Sequence, residues 1–266
     1  MHLGFHSWKL ATPLYFPAPR PDSVDHSGHT HFSTTAQFGL VERKHRSGDR
    51  AYMKKYLVLA GNIGAGKSTL VSLIADSLGF RPYFEPVAEN PYLEDFYDDM
   101  ERWAFHSQVF FLTNRVKSHR ILLDDPWSVV QDRSIYEDAN VFARNLYERG
   151  SMSSRDWTTY NELYNTMTNI LPAPDLVVYI RASVPTLKKR IAQRGRGFEA
   201  EIPEGYLGNL NTLYEEWISS FTMAPVLVVP GDRLDFVKDS RDLRTIIQTI
   251  GHRLQDKQGS LFALDM

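Results

Sequence analysis

Hydrophobic and polar positions follow a strand-then-helix pattern along residues 54–255. Short apolar runs have the length of buried strands, and longer segments have apolar positions three and four residues apart, as helices do. The predicted strands are 56–60, 81–85, 127–131, 175–180 and 226–229. The predicted helices are 68–78, 101–123, 137–149, 154–170, 184–194, 204–220 and 240–254. Strands separated by helices indicate an α/β domain with a parallel sheet and helices on both faces.

The first 52 residues show neither the pattern of a strand nor that of a helix. They hold six of the nine histidines, and we interpret 1–52 as a poorly ordered N-terminal extension that precedes a domain at 53–266. The three histidines within 25–31 favour a solvated polar tail over a metal cluster, because no partner ligands lie at zinc spacing. A transit peptide, or an upstream start codon with the natural start at Met53, is an alternative interpretation of this segment.

Composition and charge exclude several classes of function. Thirty Lys and Arg against 32 Asp and Glu give a net charge of -2, so the overall field does not favour nucleic acid or an anionic membrane. The chain has no cysteine, which excludes disulfides, thiolate catalysis and Cys-ligated metals and agrees with a cytoplasmic location. No apolar run approaches the ~20 residues that span a bilayer. Any phosphate chemistry must therefore come from local sites.

One glycine-rich segment has the sequence of a phosphate-binding loop. Residues 61–68 match GxxxxGK[ST], follow a predicted strand and open a predicted helix, which is the context that the motif requires. Backbone N–H groups would hold phosphate oxygens, Lys67 would reach the β- and γ-phosphates, and Ser68 would hold Mg²⁺. The alternative is a glycine turn with an exposed lysine. The motif predicts a nucleoside triphosphate and leaves the acceptor open.

Polar residues near the predicted strand ends offer chemistry for an acceptor. Glu85 closes the second strand and is a candidate to take the proton of an attacking hydroxyl. Asp132 and Arg133 follow the third strand and are candidates for Mg²⁺ and phosphate contacts. A solvated loop carboxylate is the alternative for Glu85.

Gln108 and Arg115 lie seven residues apart on the long predicted helix and therefore share one face. A glutamine can pair with a base edge that carries both a donor and an acceptor, so this face is a candidate base-reading surface. Two outward polar residues on a surface helix are the alternative.

Arg190, Arg194 and Arg196 form a basic cluster where a predicted helix runs into a glycine-hinged loop. Such clusters clamp transferring phosphates and close over a site, which also keeps water from competing as the acceptor. A solvated basic face is the alternative.

With these motifs in this order, residues 54 to about 255 resemble the deoxynucleoside kinase family. The resemblance rests on the loop at 61–69, Glu85-Pro86-Val87, the stretch 97–115, the segment 132–138 and the stretch 190–203. It implies a P-loop kinase fold with a five-stranded parallel sheet flanked by helices, an Arg-rich lid and a homodimer formed through helices. It also implies ATP or another nucleoside triphosphate as donor, Mg²⁺, and a deoxynucleoside as acceptor.

The resemblance implies roles for individual residues on the donor side. The nucleotide-binding residues would be Gly61, Asn62, Ile63, Gly64, Ala65, Gly66, Lys67, Ser68 and Thr69, with Arg190, Arg194 and Arg196 from the lid. Lys67 would also be catalytic. Asp132 would assist Ser68 in holding Mg²⁺, although many relatives have Glu at this position, which reaches one methylene further.

On the acceptor side, the resemblance implies that Glu85 is the general base for the 5′-hydroxyl and that Arg133 steadies this hydroxyl and the phosphate. The sugar 3′-hydroxyl would be held by Tyr97 and Glu199. The base would pair with Gln108, with two neighbours beside it, Arg115 and Asp138.

Substrate choice rests on few positions. Arg115 and Asp138 together resemble members that act on amino- or oxo-bearing bases, and Asn90 within 89–93 looks like the bacterial purine-directed branch. We therefore expect deoxyadenosine or deoxyguanosine, with deoxycytidine left open. A nucleoside monophosphate kinase and a non-catalytic kinase-like subunit are the alternative functions.

Overall fold

A parallel β-sheet flanked by helices organises the described part of the chain. The computed structural model describes residues 54–85, 89–196, 199 and 202–255, with the backbone of 261–263. The strands are β1 (Tyr56–Ala60), β2 (Arg81–Tyr83), β3 (Val129–Asp132), β4 (Leu176–Arg181), β5 (Val226–Pro230) and β6 (Leu261–Ala263). They lie in the order β2-β3-β1-β4-β5-β6, and every pair is parallel.

Helices form the crossover connections of this sheet. They are α1 (Lys67–Leu78), α2 (Leu93–Asp98), α3 (Met100–Asp124), α4 (Arg144–Glu148), α5 (Ser154–Thr168), α6 (Val184–Arg194), α7 (Glu204–Ser220) and α8 (Ser240–Gln255). The strands β1, β3 and β5 are buried almost throughout, as expected for a parallel sheet covered on both faces. No helix within the described ranges combines the length and the hydropathy needed to cross a bilayer.

The five predicted strands and the parallel sheet flanked by helices are confirmed, with shifts at several boundaries. The strand β2 ends at Tyr83, so Glu85 lies two residues beyond it rather than closing it. The strand β3 begins at Val129, because Trp127 is 57% exposed and outside the sheet. The three-residue β6 is an additional edge strand that is too short to show a period in the sequence.

The predicted helix 137–149 is wrong as a continuous element. A 3₁₀ turn spans Ile135–Glu137, a π-helical segment spans Asp138–Ala143, and only then does α4 begin. The turn starts early because the Ser134 side chain accepts from Tyr136 N while Glu137 accepts from Ser134 N, which makes a reciprocal cap. The helix α2 was not predicted, since six residues are too few to show a helical period.

Strand register brings three loops to one edge of the sheet. Leu59 of β1 pairs with Asp132 of β3, and Tyr83 of β2 pairs with Gln131. The carboxyl ends of these strands are therefore level, and the chain that leaves each one starts from the same edge. Ligands of open α/β sheets bind at this position. The proposed extension 1–52 lies outside the described residues, as do positions 197, 198, 200 and 201 of the predicted lid.

Two glycines in open surroundings differ only in their backbone conformation. Gly251 lies inside α8, and Gly79 caps α1 with a φ of 70°; a Cβ at either position would meet no atom within 4 Å. We expect Gly251→Ala to raise the free energy of unfolding by about 0.5–1 kcal/mol, because alanine is the better helix former. Gly79→Ala should lower it by about 1–2 kcal/mol, because its Cβ strains the left-handed conformation. Urea unfolding measures both, and shifts of the same sign would contradict this interpretation.

Candidate active site

The loop after β1 contains backbone positions that only glycine can occupy without strain. Gly61, Gly64 and Gly66 have φ angles of 144°, 80° and 99°. A Cβ at Gly64 would lie 2.8 Å from the Leu187 carbonyl oxygen, and one at Gly61 would lie 2.9 Å from that of Ile180. The loop thus packs closely on α6 and β4. The first turn of α1 has no side-chain cap, so its N–H groups can bind an anion.

Lys67 folds back over this loop. Its Nζ donates to the Gly61 oxygen at 2.9 Å and to the Asn62 oxygen at 3.0 Å, and the residue is 7% exposed. Burial lowers the pKa of Lys67 to about 8, and Arg133 acts in the same direction, although Asp132, Glu137 and Glu85 oppose the shift. A phosphate at the loop would give this ammonium a stronger acceptor than the two carbonyls.

Ser68 and Asp132 form a pair of oxygen donors at the mouth of the loop. The Ser68 hydroxyl donates to Asp132 Oδ2, whereas Oδ1 of this buried carboxylate has no hydrogen-bond partner among the described residues. A hydroxyl and a carboxylate suit Mg²⁺, which takes its other ligands from phosphates and water. No cluster of three His, Cys, Asp or Glu that could hold a metal occurs in the described ranges.

Glu85 lies between two arginines. Its Oε1 is paired with Arg115, and its Oε2 accepts from Arg133 Nε at 3.1 Å. Burial alone would raise the pKa of Glu85, but Arg115, Arg133 and Lys67 outweigh this effect and hold the pKa below its ordinary value. Glu85 is therefore an anion at neutral pH, and its lone pairs point to cations.

Arg133 is buried and has a strained backbone. Its φ of 67° is the only positive value at a non-glycine residue within the described ranges, and the left-handed conformation costs about 1–2 kcal/mol. Its N–H still bonds the Leu59 oxygen at 2.9 Å, which extends the β1–β3 pairing, before the left-handed turn directs the side chain into the site. The guanidinium lies 4.3 Å from the Phe142 ring centroid.

A cleft of about 770 Å³, including its open mouth, joins these groups. Predicted residues that line it are Ile63, Gly64, Lys67, Ser68, Glu85, Tyr97, Gln108, Arg115, Asp132, Arg133, Arg194, Arg196 and Glu199. Its apolar walls include Phe96, Phe111 and Phe142, which are flat surfaces suited to an aromatic ring. We call this the first cleft.

The base-reading face that the sequence predicted on α3 lines the first cleft. Gln108 and Arg115 both lie on its wall and are 5% and 6% exposed. Asp138 does not line the cleft; it is fully buried behind Arg115 and forms an ion pair with it. Asp138 therefore orients an arginine instead of presenting a free carboxylate.

A second cleft of about 1400 Å³, including its open mouth, also borders the glycine loop. Its walls come from α6, from the loop 231–238 and from four residues of the glycine loop and the start of α1, namely Gly64, Gly66, Ser68 and Thr69. Arg190 lies here, with its Nη1 donating to the Ala65 oxygen and its Nη2 to the Gly231 oxygen, both at 2.8 Å. Arg190 thus connects the glycine loop to the loop after β5 through two hydrogen bonds.

Two of the three predicted lid arginines, Arg194 and Arg196, contact a predicted sugar ligand, Glu199. Arg194 is paired with Glu199 Oε2, and Arg196 Nη1 lies 3.3 Å from Glu199 Oε1. Tyr97 lines the same part of the first cleft, and burial, Tyr206 and Glu199 raise the pKa of its hydroxyl. The Asn62 side chain instead bonds Leu207 and Asn211 of α7, so only its backbone is available for a nucleotide.

Several site residues were missed in the sequence. Phe96, Phe142 and Tyr206 line the first cleft, and Glu137 and Tyr214 lie behind it in contact with Arg133. Glu137 lies within the segment 132–138, one residue before Asp138, which was the available signal. Tyr214 is 81 residues from Arg133 in the chain, and nothing in its local pattern distinguishes it from a core tyrosine.

The deoxynucleoside kinase family model matches residues 57–255. This chain belongs to the deoxynucleoside kinase family. It is 39% identical over 204 residues to the deoxyadenosine/deoxycytidine kinase of Bacillus subtilis, covering 76% of this chain and 94% of the relative. It is 36% identical over 209 residues to the deoxyguanosine kinase of Lactobacillus johnsonii, covering 75% and 92%.

The fold of this kinase is also similar to a solved structure of a deoxyadenosine kinase from M. mycoides with bound dATP. The TM-score is 0.66 at 32% identity, and the match covers 74% of this chain and 99% of the other. A further structure of that enzyme holds the products dCMP and dCDP, again with a TM-score of 0.66. The kinase therefore belongs to a group whose members differ in the base that they accept.

The lowered pKa of Lys67 predicts proton uptake when this kinase binds a nucleotide. Above pH 8 much of Lys67 is neutral, and triphosphate oxygens should raise its pKa and draw a proton from the buffer. At pH 6.5 the ammonium is already formed, so no uptake by Lys67 is expected. Titration calorimetry with MgATP, without acceptor, in buffers of different ionisation enthalpy measures the number of protons taken up on binding at pH 6.5 and at pH 8.5.

Lys67→Arg is the matched control, because a guanidinium stays protonated at both pH values. It should bind more weakly and show no extra uptake at pH 8.5. Equal proton numbers for the parent at both pH values would contradict the assignment.

Proposed function

We propose that this chain transfers the γ-phosphoryl group of ATP to the 5′-hydroxyl of a deoxyribonucleoside, in nucleotide salvage in the cytoplasm. The observation that carries the proposal is the junction of the two clefts, since Gly64, Ser68 and Arg194 line both. A triphosphate on the glycine loop and an acceptor in the first cleft would therefore meet beside Ser68. Glu85 lines the first cleft together with Ser68.

In this proposal Glu85 accepts the proton of the 5′-hydroxyl. Its anionic state leaves it ready to accept, but Arg115 and Arg133 hold its oxygens, so the hydroxyl must displace one of these contacts. Late proton transfer suits a carboxylate of lowered pKa, because most of the charge develops as the phosphoryl group moves. Arg133 would then stabilise the transferred group, and Lys67 the β- and γ-phosphates.

Ser68 and Asp132 would hold Mg²⁺ together with phosphate oxygens, as their contact and the unpartnered Asp132 Oδ1 support. When bound, Mg²⁺ would neutralise charge on the β- and γ-phosphates. Arg190, Arg194 and Arg196 would complete the nucleotide site. Arg194 and Arg196 are now paired with Glu199. If these two arginines bound phosphate instead, the Glu199 carboxylate would be released and could accept a hydrogen bond from the sugar 3′-hydroxyl beside Tyr97.

The charges of the first cleft favour a neutral acceptor. Each of the four arginines that line it is paired with a carboxylate, namely Arg115, Arg133, Arg194 and Arg196. A nucleoside monophosphate kinase would need a further cation for the acceptor's phosphate. A non-catalytic subunit would have no need for a general base held between two arginines.

For the base, we propose pairing with Gln108 beside Arg115, between the phenylalanine walls. Deoxyadenosine or deoxyguanosine is the expected substrate, and deoxycytidine is the alternative. The B. subtilis relative that acts on deoxyadenosine and deoxycytidine supports this range.

We also propose a homodimer that forms through helices. Ile121 on α3 is 62% exposed, and Ile170, just after α5, is 77% exposed. Apolar side chains at such exposure are candidates for an interface. Sedimentation equilibrium should show a dimer for the parent and a shift toward monomer for Ile121→Glu; a monomeric parent would refute the proposal.

A substrate panel tests the activity. The four deoxynucleosides, their ribonucleoside counterparts and their 5′-monophosphates are supplied with ATP and Mg²⁺, and product formation is measured. We expect turnover of purine deoxynucleosides and none of the monophosphates. In the same panel Gln108→Ala should change the ranking of the bases. Turnover of monophosphates alone, or of no compound, would refute the proposed function.

Glu85→Gln tests the general base. The amide cannot take the proton, so kcat should fall by about 10²–10⁴-fold while ATP affinity stays close to that of the parent. The control Glu148→Gln, an exposed carboxylate on α4 paired with Arg144, should leave kcat unchanged. An unchanged kcat in Glu85→Gln would remove Glu85 from the mechanism.

A further inference from the structure

Arg133 is held from behind by two buried residues that the proposed mechanism does not use. Its Nη1 donates to the Tyr214 hydroxyl at 2.7 Å and lies 3.5 Å from Glu137 Oε2. Glu137 and Tyr214 are both fully buried, and neither lines the first cleft. These contacts lie on the opposite side of the guanidinium from Nε, which faces Glu85.

The two residues are fixed by independent parts of the chain. Glu137 Oε1 accepts from Ser134 N at 3.1 Å, which ties the carboxylate to the turn that follows Arg133. Tyr214 comes from α7, where its ring stacks on Tyr179 with centroids 5.5 Å apart. The guanidinium is therefore held between the turn and a helix far away in the sequence.

Tyr214 also links Arg133 to the phosphate loop. Its hydroxyl lies 2.8 Å from the Gly61 oxygen, which also accepts from Lys67 Nζ. It accepts from Arg133, and its one proton serves either this carbonyl or the Glu137 carboxylate. When Lys67 turns to a phosphate, Gly61 loses a donor that the Tyr214 hydroxyl can replace.

We infer that Glu137 and Tyr214 are positioning residues for phosphoryl transfer: they anchor the Nη1 edge of Arg133 so that its other edge faces Glu85 and the transferred group. Arg133 needs such an anchor because its backbone is strained and its side chain is removed from water. The Glu137 carboxylate also acts together with Glu85 in balancing the charge of the buried Arg133 guanidinium. This inference rests on the proposed role of Arg133.

Tyr214→Phe and Glu137→Gln test it, because each keeps the size of the side chain and removes the hydroxyl or the charge. We expect kcat to fall about 10- to 100-fold with KM for both substrates within about threefold, since a misdirected group affects the reaction more than binding. The control is Tyr136→Phe, which removes another buried hydroxyl bond, 2.7 Å long to the Pro172 oxygen. It should lower the melting temperature by a similar amount and leave kcat unchanged.

A second measurement does not depend on activity. In ¹⁵N-labelled protein the Arg133 Nε–H, assigned with Arg133→Lys, should exchange slowly with solvent because it is buried and bonded to Glu85. Its exchange should speed up at least about tenfold in Tyr214→Phe and Glu137→Gln but not in Tyr136→Phe.

The outcomes separate this inference from the proposed function. A parent without activity on any nucleoside refutes the function, and the exchange rates still decide whether Arg133 is anchored as inferred. Unchanged exchange and unchanged kcat in both site variants, or an equal loss of kcat in Tyr136→Phe, would overturn the inference. If Tyr214→Phe does not fold, Glu137→Gln alone decides.

Discussion

A buried arginine requires buried anions, and this requirement organises the site around Arg133. Burial alone would lower the pKa of its guanidinium, yet the contacts with Tyr214, Glu137 and Glu85 raise it. An unpaired charge at this depth would be strongly destabilising. The turn after β3 therefore supplies Glu137, the chain after β2 supplies Glu85, and α7 supplies Tyr214. Three separate elements converge because one buried guanidinium needs two carboxylates to neutralise it and a hydroxyl to accept a further hydrogen bond.

The same balance extends across the whole cleft. Arg115 is shared between Glu85 and Asp138, and Glu199 is shared between two arginines of the predicted lid. Carboxylates proposed to bind the acceptor thus neutralise arginines proposed to bind the base or the phosphates. A substrate has to replace these contacts with its own, so ion-pair exchange would couple the filling of one cleft to that of the other. A water molecule has neither a nucleobase nor a triphosphate, so it cannot replace these ion pairs in the same way.

Much of this could be predicted from local sequence. The glycine loop was predicted from its GxxxxGK[ST] spacing between a strand and a helix, and the structure gives the physical reason for glycine at Gly61 and Gly64: positive φ angles and close contacts with Ile180 and Leu187. Gln108 and Arg115 were placed on one face of α3 by helical periodicity alone, and both line the first cleft. The carboxyl end of β2 and the helix after β3 were predicted less accurately. A three-residue edge strand and a π-helical segment follow from contacts and caps rather than from a period.

The sequence by itself determined the order of strands and helices, the phosphate loop and the residue types of the site, because these depend on spacing within a few turns of chain. Only the tertiary structure decided which charges pair. Asp138 lies behind Arg115 instead of on the cleft wall, Glu199 pairs with Arg194 and Arg196, and Tyr214 contacts Arg133 from 81 residues away in the chain. Pairing depends on distance and burial, and both arise only when the sheet brings remote segments together.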